Sequence, residues 1–283
     1  MSEIIDGKKL AEKIKDKIAS EIFALKGPRP NLAIILVGER PDSEMYVSLK
    51  EKQAKQVGID THLYRCPENI GERELLEIIE HLNNDKLIDA ILIQLPLPDK
   101  IDADTIIMAV DPEKDVDGFQ PDNLEKLFKA RDFSDLMMPP VFAAVLEMLA
   151  SVDYEIENKQ ALVISNSDVF GKSLAHVLKC RGAIVESAKA DDKNLAEKSA
   201  RADILITAVG KSGFIKQGMI KQGAAIIDIG ISKKGDKITG DVDFEDVKER
   251  ASYITPVPGG VGPMTIAMAF KNTLEIFKKK RKI

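Results

Sequence analysis

A tyrosine and a lysine lie four residues apart in a segment with the composition of a helix. Tyr46 and Lys50 fall within SEMYVSLKEK, and this spacing places the phenol and the ammonium on one helix face. A lysine held near an aromatic ring in a cleft can have its pKa lowered by desolvation and then act as a general base or acid. The spacing also fits a surface lysine beside a half-buried tyrosine, so the pair alone leaves both interpretations open.

Two other polar residues stand where apolar segments end. Gln94 interrupts the run AILIQL just before LPLP, and Asp117 lies in the acidic turn DPEKDVDGF, which Gly118 can tighten. A polar side chain near the end of a buried strand costs free energy unless it is paired, so it often faces a ligand. A glutamine bonded to loop backbone and an aspartate that caps a turn are the alternative interpretations.

The segment TPVPGGVGPMT, residues 255–265, is rich in glycine and proline. Its glycines allow the backbone to approach a ligand closely, and its end opens a helix. Because an ordinary turn would not need so elaborate a sequence, we interpret the segment as a binding loop.

Composition excludes several classes of protein. The chain has 283 residues, of which 44% are hydrophobic and 31% charged, as expected for about two folded domains. The net charge of -5 argues against a nucleic-acid partner, and we expect the C-terminal KKKRK to solvate a helix end and complement its dipole. With two cysteines and three histidines, no tetrahedral zinc site is expected and we predict no metal.

The apolar runs are far shorter than the roughly 20 residues that span a bilayer. The first residues, MSEIIDGKKLAEKIKDK, lack the apolar core of a secretory signal. We therefore expect a cytoplasmic protein with no membrane partner.

Hydrophobic patterning predicts helices alternating with short buried strands in the first half of the chain. The strands are NLAIILV, THLYRC and AILIQL, and the helices span about residues 7–25, 43–57 and 72–82. Nearly continuous apolar strands in this βαβ order indicate a parallel sheet that is covered on both faces.

The pattern restarts after Pro139 and Pro140, with the strands ALVIS, AIVES, DILITAVG, AAIIDIG and YITPV. A final amphipathic helix, residues 264–280, is expected to return to the first domain. We predict an α/β fold of two α/β domains around a cleft, one formed by residues 1–140 plus 264–283 and one by residues 141–263. The second has the pattern of a Rossmann-like, doubly wound parallel sheet, whose ligand lies outside the carboxyl ends of the strands.

In this order the segments resemble the bifunctional methylenetetrahydrofolate dehydrogenase and methenyltetrahydrofolate cyclohydrolase family, FolD. The resemblance covers nearly the whole chain and rests on LVGERPDSEMYVSLKEK, ILIQLPLP, PEKDVDGF, ADILITAVGKSGFI, GAAIIDIGI, GDVDF and TPVPGGVGPMT. It implies oxidation of 5,10-methylenetetrahydrofolate to the 5,10-methenyl form with a nicotinamide dinucleotide, followed by hydrolysis to 10-formyltetrahydrofolate. It also implies a homodimer formed through the nucleotide domain.

The resemblance implies roles for individual residues. Lys50 would be the catalytic lysine, with Tyr46 shaping the folate pocket, Gln94 tuning the lysine and Asp117 holding the pterin. The implied folate-binding positions are Tyr46, Val47, Lys50, Gln94, Leu95, Pro96, Asp117, Pro258, Gly259 and Gly260. The implied dinucleotide-binding positions are Ser165, Asn166, Ser167, Gly171, Asp191, Ala208, Val209, Gly210, Ile231 and Thr265.

The sequence departs from the family pattern where the dinucleotide would bind. Ser165-Asn166-Ser167 stands where the family usually has Gly-Arg-Ser, and asparagine cannot neutralise the extra phosphate of NADP. Asp191, 20 residues beyond Gly171, stands where a carboxylate accepts the ribose 2′-hydroxyl in NAD-binding folds, although Lys189 could offset its charge. The resemblance therefore implies NADP, and these residues make NAD the alternative.

Three hypotheses remain open from the sequence. The first is the full bifunctional enzyme, the second a cyclohydrolase-only paralogue with a decayed dinucleotide site, and the third a non-catalytic folate-binding protein. The presence of Tyr46, Lys50, Gln94 and Asp117 favours an enzyme.

Overall fold

A computed structural model describes residues 2–133, 136–234 and 237–283 of the chain. The strands in chain order are β1 (Glu3–Ile4), β2 (Asn31–Val37), β3 (Asp60–Cys66), β4 (Ala90–Ile93), β5 (Gln160–Ser165), β6 (Ile184–Ala188), β7 (Ile204–Ala208), β8 (Ala225–Asp228), β9 (Ser232–Lys234), β10 (Lys237–Thr239) and β11 (Tyr253–Ile254). The helices are α1 (Gly7–Ala24), α2 (Pro41–Val57), α3 (Glu72–Asn84), α4 (Ala103–Met108), α5 (Pro121–Lys129), α6 (Pro140–Ala150), α7 (Asp168–Cys180), α8 (Leu195–Arg201), α9 (Phe244–Val247) and α10 (Val261–Arg281), with a short 3-10 helix at Gln217–Met219.

The chain divides into two compact units. The three-stranded unit comprises the described residues of Glu12–Lys126, Phe133–Pro140 and Ile266–Ile283. The six-stranded unit comprises those of Met1–Ala11, Leu127–Asp132 and Val141–Thr265. Residues 2–11, 127–132 and 264–265 thus group with the larger sheet, although the sequence pattern predicted them in the first domain.

In the three-stranded unit, β2 lies between β3 and β4 and pairs with both in parallel. Successive β2 side chains point to opposite faces: Leu32 and Ile34 enter one hydrophobic core, while Ala33 and Ile35 enter the other. Burial on both faces explains why this strand is an unbroken apolar run. The prediction of a parallel sheet covered on both faces is confirmed.

The final helix α10 buries its predicted apolar stripe. Ile266, Phe270 and Ile276 join the core that contains Leu32 and Ile34 of β2. The expectation that the C-terminal helix returns to the first sheet is therefore confirmed, and its observed start at Val261 is three residues earlier than predicted.

The basic C-terminal run has a structural role that the sequence analysis did not foresee. Lys280 Nζ and Arg281 Nη1 lie 3.2 and 2.7 Å from Oδ1 of Asp89, whose side chain is fully buried. The other oxygen of Asp89 accepts the Asn31 N–H at 2.9 Å, and the Arg281 guanidinium lies 3.9 Å from the Phe277 ring centroid. The run therefore anchors α10 on a buried carboxylate, in addition to solvating the end of the helix.

In the six-stranded unit, described parallel strands lie in the order β1-β11-β8-β7-β5-β6. The order reverses at β5, because β6 follows it on one side and β7 on the other. In doubly wound sheets a ligand crevice opens at such a reversal, outside the carboxyl ends of the strands. The predicted Rossmann-like organisation is confirmed.

Several short elements had not been predicted. Among them, β1 pairs with β11 through Glu3 and Tyr253, and β9 pairs antiparallel with β10. The strands β1, β9 and β10 are only two or three residues long, which is too short for an alternating pattern to be recognised. Every helix in the described part of the chain is too short or too polar to span a bilayer.

Substitution of Asp89 by asparagine tests the anchor of α10. We expect the free energy of unfolding to fall by about 2 to 4 kcal/mol, because Lys280 and Arg281 lose their shared buried partner. Denaturant titration measures this loss. The control, Glu21→Gln, removes the exposed partner of Lys278 and should cost less than about 1 kcal/mol. Equal losses in the two variants would contradict the anchoring role.

Candidate functional site

Helix α2 presents Tyr46 and Lys50 on one face, and its opposite face packs into the hydrophobic core. Proline in its first turn favours helix initiation, and Gly58, with φ of 88°, ends the helix in the left-handed conformation. Val47 is fully buried in the hydrophobic core. Its side chain therefore packs into the core behind the face that carries Tyr46 and Lys50.

Lys50 and Gln94 form a direct contact. Lys50 Nζ donates a hydrogen bond to Gln94 Oε1 at 3.0 Å. The Gln94 amide nitrogen donates to the Leu95 carbonyl at 2.6 Å, which orients the amide with its oxygen toward the lysine. Gln94 directly follows β4, and its own N–H donates to the Ile35 carbonyl at 2.9 Å. The glutamine thus bonds to loop backbone and to the lysine at once.

Burial perturbs the ionisation of this site. It lowers the pKa of Lys50, and the negative charge of Asp117 opposes that shift. Burial also raises the pKa of Asp117 to about 6, a rise that Lys50 opposes and Asp115 augments. Burial raises the pKa of the Tyr46 phenol as well, with a further contribution from Asp42. A lysine and a carboxyl that respond to each other's charge can store and transfer a proton.

Asp115, which sequence reasoning passed over, holds the turn that presents Asp117. Its carboxylate accepts the backbone N–H groups of Asp117, Gly118 and Gln120 at 3.1, 3.0 and 2.9 Å. The Asn123 side-chain amide donates to it at 3.2 Å. An aspartate followed closely by a glycine in a turn is the available sequence signal, because aspartate carboxylates commonly bond the backbone a few residues ahead.

Exposed apolar side chains are adjacent in sequence to the polar residues of the site. Leu95 follows Gln94 and is 45% exposed, and Pro96 is exposed as well. Met45 and Leu49, which precede Tyr46 and Lys50, are 51% and 40% exposed. Exposed apolar groups of this kind suit a ligand with a flat aromatic part.

The predicted folate-binding residues Pro258, Gly259 and Gly260 belong to the six-stranded unit. The Gly259 carbonyl accepts the Lys8 N–H at 2.9 Å, and a Cβ atom on Gly7 would lie 1.9 Å from the Gly260 carbonyl oxygen. The start of α1 therefore holds the glycine pair, while Pro258 stays exposed.

The predicted dinucleotide residues cluster at the carboxyl ends of parallel strands. Ser165 ends β5 and is followed by Asn166 and Ser167, whose hydroxyl caps α7 by accepting the Phe170 N–H at 3.3 Å. Gly171 is buried in α7, where a Cβ atom would lie 3.8 Å from the Ser165 side chain. The start of a capped helix beside the reversal at β5 is a suitable place for a phosphate.

Other predicted dinucleotide-binding residues follow β7 and β8 or lie at the start of α10. Ala208 ends β7 and is followed by Val209 and Gly210, which has φ of 76° and open space around its Cα. Ile231 lies three residues beyond the end of β8 and is 45% exposed. Thr265 lies in the first turns of α10, where its hydroxyl donates to the Val261 carbonyl at 3.1 Å. The open space at Gly210 and the exposed side chain of Ile231 leave room for a dinucleotide.

The segment after β6 carries Lys189 and Asp191, whose charges have different surroundings. Lys189 Nζ lies 3.1 Å from an Asp168 oxygen, so the lysine expected to offset Asp191 is already paired. Asn166 Oδ1 accepts the Ala190 N–H at 3.4 Å. Asp191 is exposed, and the described residues give its carboxylate no hydrogen bond or ion pair. In the same ranges no group of three or more His, Cys, Asp or Glu is placed to hold a metal ion.

The coupling of Asp117 to Lys50 can be measured directly. In Lys50→Met we expect the pKa of Asp117 to rise above its value of about 6, because the cation that opposes the rise is gone. Carbon-13 NMR of the carboxyl groups over a pH series measures the shift. Lys52→Met, an exposed lysine on the same helix, should leave the pKa of Asp117 unchanged. A fall of the pKa in Lys50→Met would contradict the coupling.

Both parts of the chain match family models. Residues 5–117 match the catalytic domain of tetrahydrofolate dehydrogenase/cyclohydrolase, and residues 139–281 match its NAD(P)-binding domain. The chain is 44% identical to the bifunctional protein FolD of Listeria innocua, over 99% of this chain and 98% of that protein.

Solved structures give the same result. The bifunctional enzyme FolD of Campylobacter jejuni is 39% identical, with a TM-score of 0.93, and the match covers 99% of each chain. The FolD of Trypanosoma brucei, solved with NADP and an inhibitor, is 34% identical with a TM-score of 0.95, over 100% of this chain and 99% of that one. The chain belongs to the tetrahydrofolate dehydrogenase/cyclohydrolase family.

Proposed function

We infer that the protein oxidises 5,10-methylenetetrahydrofolate to 5,10-methenyltetrahydrofolate with a nicotinamide dinucleotide and hydrolyses the product to 10-formyltetrahydrofolate. The observation that carries this inference is the hydrogen bond between Lys50 and Gln94, within the part of the chain that matches the family's catalytic domain. Its relative in Listeria innocua is named a bifunctional FolD protein.

Hydrolysis requires proton transfers, and Lys50 is the residue best suited to make them. Water attacks the bridging carbon of the methenyl cation, and the ring then opens at one nitrogen. A neutral Lys50 amine can accept a proton from the attacking water, and the resulting ammonium can donate it to the leaving nitrogen. Because burial lowers the pKa of Lys50, the neutral amine is more populated than in an exposed lysine.

Gln94 and Asp117 support that step in different ways. Gln94 accepts a Lys50 N–H and thereby fixes the direction of the nitrogen. Asp117 is proposed to hold the pterin ring by accepting its N–H groups, a role for the ionised carboxylate. That form predominates above about pH 6, so folate binding should weaken below that pH.

The dehydrogenase step makes fewer chemical demands on the protein. The bound dinucleotide supplies the hydride acceptor, NADP by the family resemblance. Ser165, Asn166 and Ser167 after β5, and Val209 and Gly210 after β7, would hold it. No strong base is needed in this step, because the work of the protein is to orient donor and acceptor. The capped start of α7 does not favour a decayed dinucleotide site.

Cellular context adds further proposals. We propose that the protein works in the cytoplasm as a homodimer and without a nucleic-acid partner. The family resemblance supports the dimer and the cytoplasmic location, and the net charge of -5 supports the absence of a nucleic-acid partner.

A paired assay of Lys50→Met tests the division of labour. Hydrolysis of methenyltetrahydrofolate without nucleotide should fall by about 100-fold or more, because the general acid and base is lost. Oxidation of methylenetetrahydrofolate with NADP should fall by much less, because that step needs no strong base. Lys52→Met, on the same helix, is the control and should retain both rates. Unchanged hydrolysis in Lys50→Met would sink the assignment of Lys50. If the unmodified protein shows neither oxidation nor hydrolysis, the proposed function itself is wrong.

A second variant tests the choice of dinucleotide. In Asp191→Ala, the ratio of kcat/KM for NADP to that for NAD should rise about tenfold, since a negative charge near the 2′ position repels a phosphate. Steady-state kinetics with each nucleotide measure the ratio. Glu197→Ala, which removes an exposed carboxylate from α8, is the matched control and should leave the ratio unchanged. The same ratio in Asp191→Ala and the unmodified protein would show that Asp191 does not select the nucleotide.

A further inference from the structure

Two buried aspartates lie behind the loops that follow β7 and β8. Asp228 is the last residue of β8 and Asp241 lies in GDVDF, and they are 2% and 0% exposed. In the described ranges neither carboxylate has an ion pair with a lysine or arginine. An uncompensated buried charge is costly, so these acids must be stabilised in another way.

Asp241 is stabilised by donors from the end of β7 and the loop after it. One carboxylate oxygen accepts the Thr207 hydroxyl at 2.8 Å and the Val209 N–H at 2.7 Å. The other accepts the Lys211 N–H at 2.7 Å. The backbone on both sides of Gly210 is therefore tied to a single side chain, and Gly210 itself stays exposed with open space around it.

Asp228 holds the loop after β8 in a similar way, and it also accepts the backbone N–H of Asp241. Its oxygens accept the N–H groups of Gly230, Asp241 and Val242 at 3.0, 3.1 and 2.8 Å. The first of these bonds fixes the residue before Ile231. Burial raises the pKa of Asp228 to about 7, although the Val242 N–H opposes the rise. Burial therefore makes the ionisation of Asp228 less favourable than that of an exposed carboxyl.

Two glycines make room for these carboxylates. A Cβ atom on Gly230 would lie 2.1 Å from the Asp241 carboxyl carbon, and one on Gly240 would lie 2.0 Å from an Asp228 oxygen. Each acid therefore occupies space that any residue other than glycine would fill.

We propose that Asp241 and Asp228 are positioning residues for the dinucleotide, because they hold the loops carrying Val209, Gly210 and Ile231 in the shape that binds it. This inference rests on the proposed function, since those loop residues are its dinucleotide contacts. The aspartates themselves do not touch the ligand. Their contribution is to make the loops rigid before binding, which reduces the entropy lost when the dinucleotide binds.

The substitution Asp241→Asn replaces one acceptor oxygen with an N–H₂ group while keeping the size of the side chain. The new N–H₂ group then faces another donor, either a backbone N–H or the Thr207 hydroxyl, and the hydrogen bond that the carboxylate accepted there is lost. We expect the Kd for NADP, or for NAD if it is preferred, to rise about tenfold in isothermal calorimetry. The KM for the dinucleotide should rise similarly, while kcat at saturation and nucleotide-free hydrolysis of methenyltetrahydrofolate stay within about twofold.

A control at the opposite end of the same strand separates positioning from general stability. Asp203 precedes β7 and accepts Lys221 Nζ at 2.6 Å and the Gln160 N–H at 2.9 Å. Asp203→Asn should lower Tm without changing the Kd for the dinucleotide. If Asp241→Asn does not fold, Asp228→Asn, which leaves the bonds to Val209 and Lys211 in place, should raise the Kd by about threefold.

Two results would overturn the inference. One is an unchanged Kd in a folded Asp241→Asn or Asp228→Asn variant, and the other is an equal rise of the Kd in Asp203→Asn. A separate result, no binding of either dinucleotide by the unmodified protein, would overturn the proposed dehydrogenase function and this inference with it.

Discussion

The desolvation of the Lys50 ammonium beside Gln94 is the constraint around which the smaller sheet is arranged. The ammonium lies 3.0 Å from one amide oxygen, and burial lowers its pKa. Such a contact requires α2 and the end of β4 to be held rigidly together. The central strand β2 provides this, since it pairs with β4 and shares a core with the buried face of α2. The chemistry of the lysine thus depends on a strand that is buried on both faces.

Carboxylates stabilised by backbone N–H groups position loops in both units. Asp115 holds the turn that carries Asp117, and Asp228 and Asp241 hold the loops at the ends of β7 and β8. Asp89 contrasts with them, because two basic side chains compensate its charge. Loops fixed in this way are more precise supports for ligand contacts than loops held by their own conformation alone.

Much of the fold could be predicted because its inner strands, such as β2 and β7, are apolar on both faces and its long helices are amphipathic. Three site residues could be singled out from their positions. Lys50 follows Tyr46 by four residues, Gln94 ends an apolar run and Asp117 precedes a glycine in a turn. Val47 could not be told from its neighbours, since only the helix orientation shows that it enters the core. Asp241 was missed because its partners Thr207 and Val209 lie more than 30 residues away in sequence. Short edge strands such as β1 could not be predicted, because they have too few residues to show an alternating hydrophobic pattern.

The most direct test of this account is the titration of Lys50 itself. Protein labelled with carbon-13 at the lysine Cε atoms allows the Lys50 resonance to be followed by NMR across a pH series, with Lys50→Met identifying the signal. The account predicts a pKa below the ordinary value of 10.5, and a still lower one in Asp117→Asn, where the opposing negative charge is removed. A pKa at or above 10.5 would contradict the account, because Lys50 would then be a fully charged lysine with no neutral amine to accept a proton.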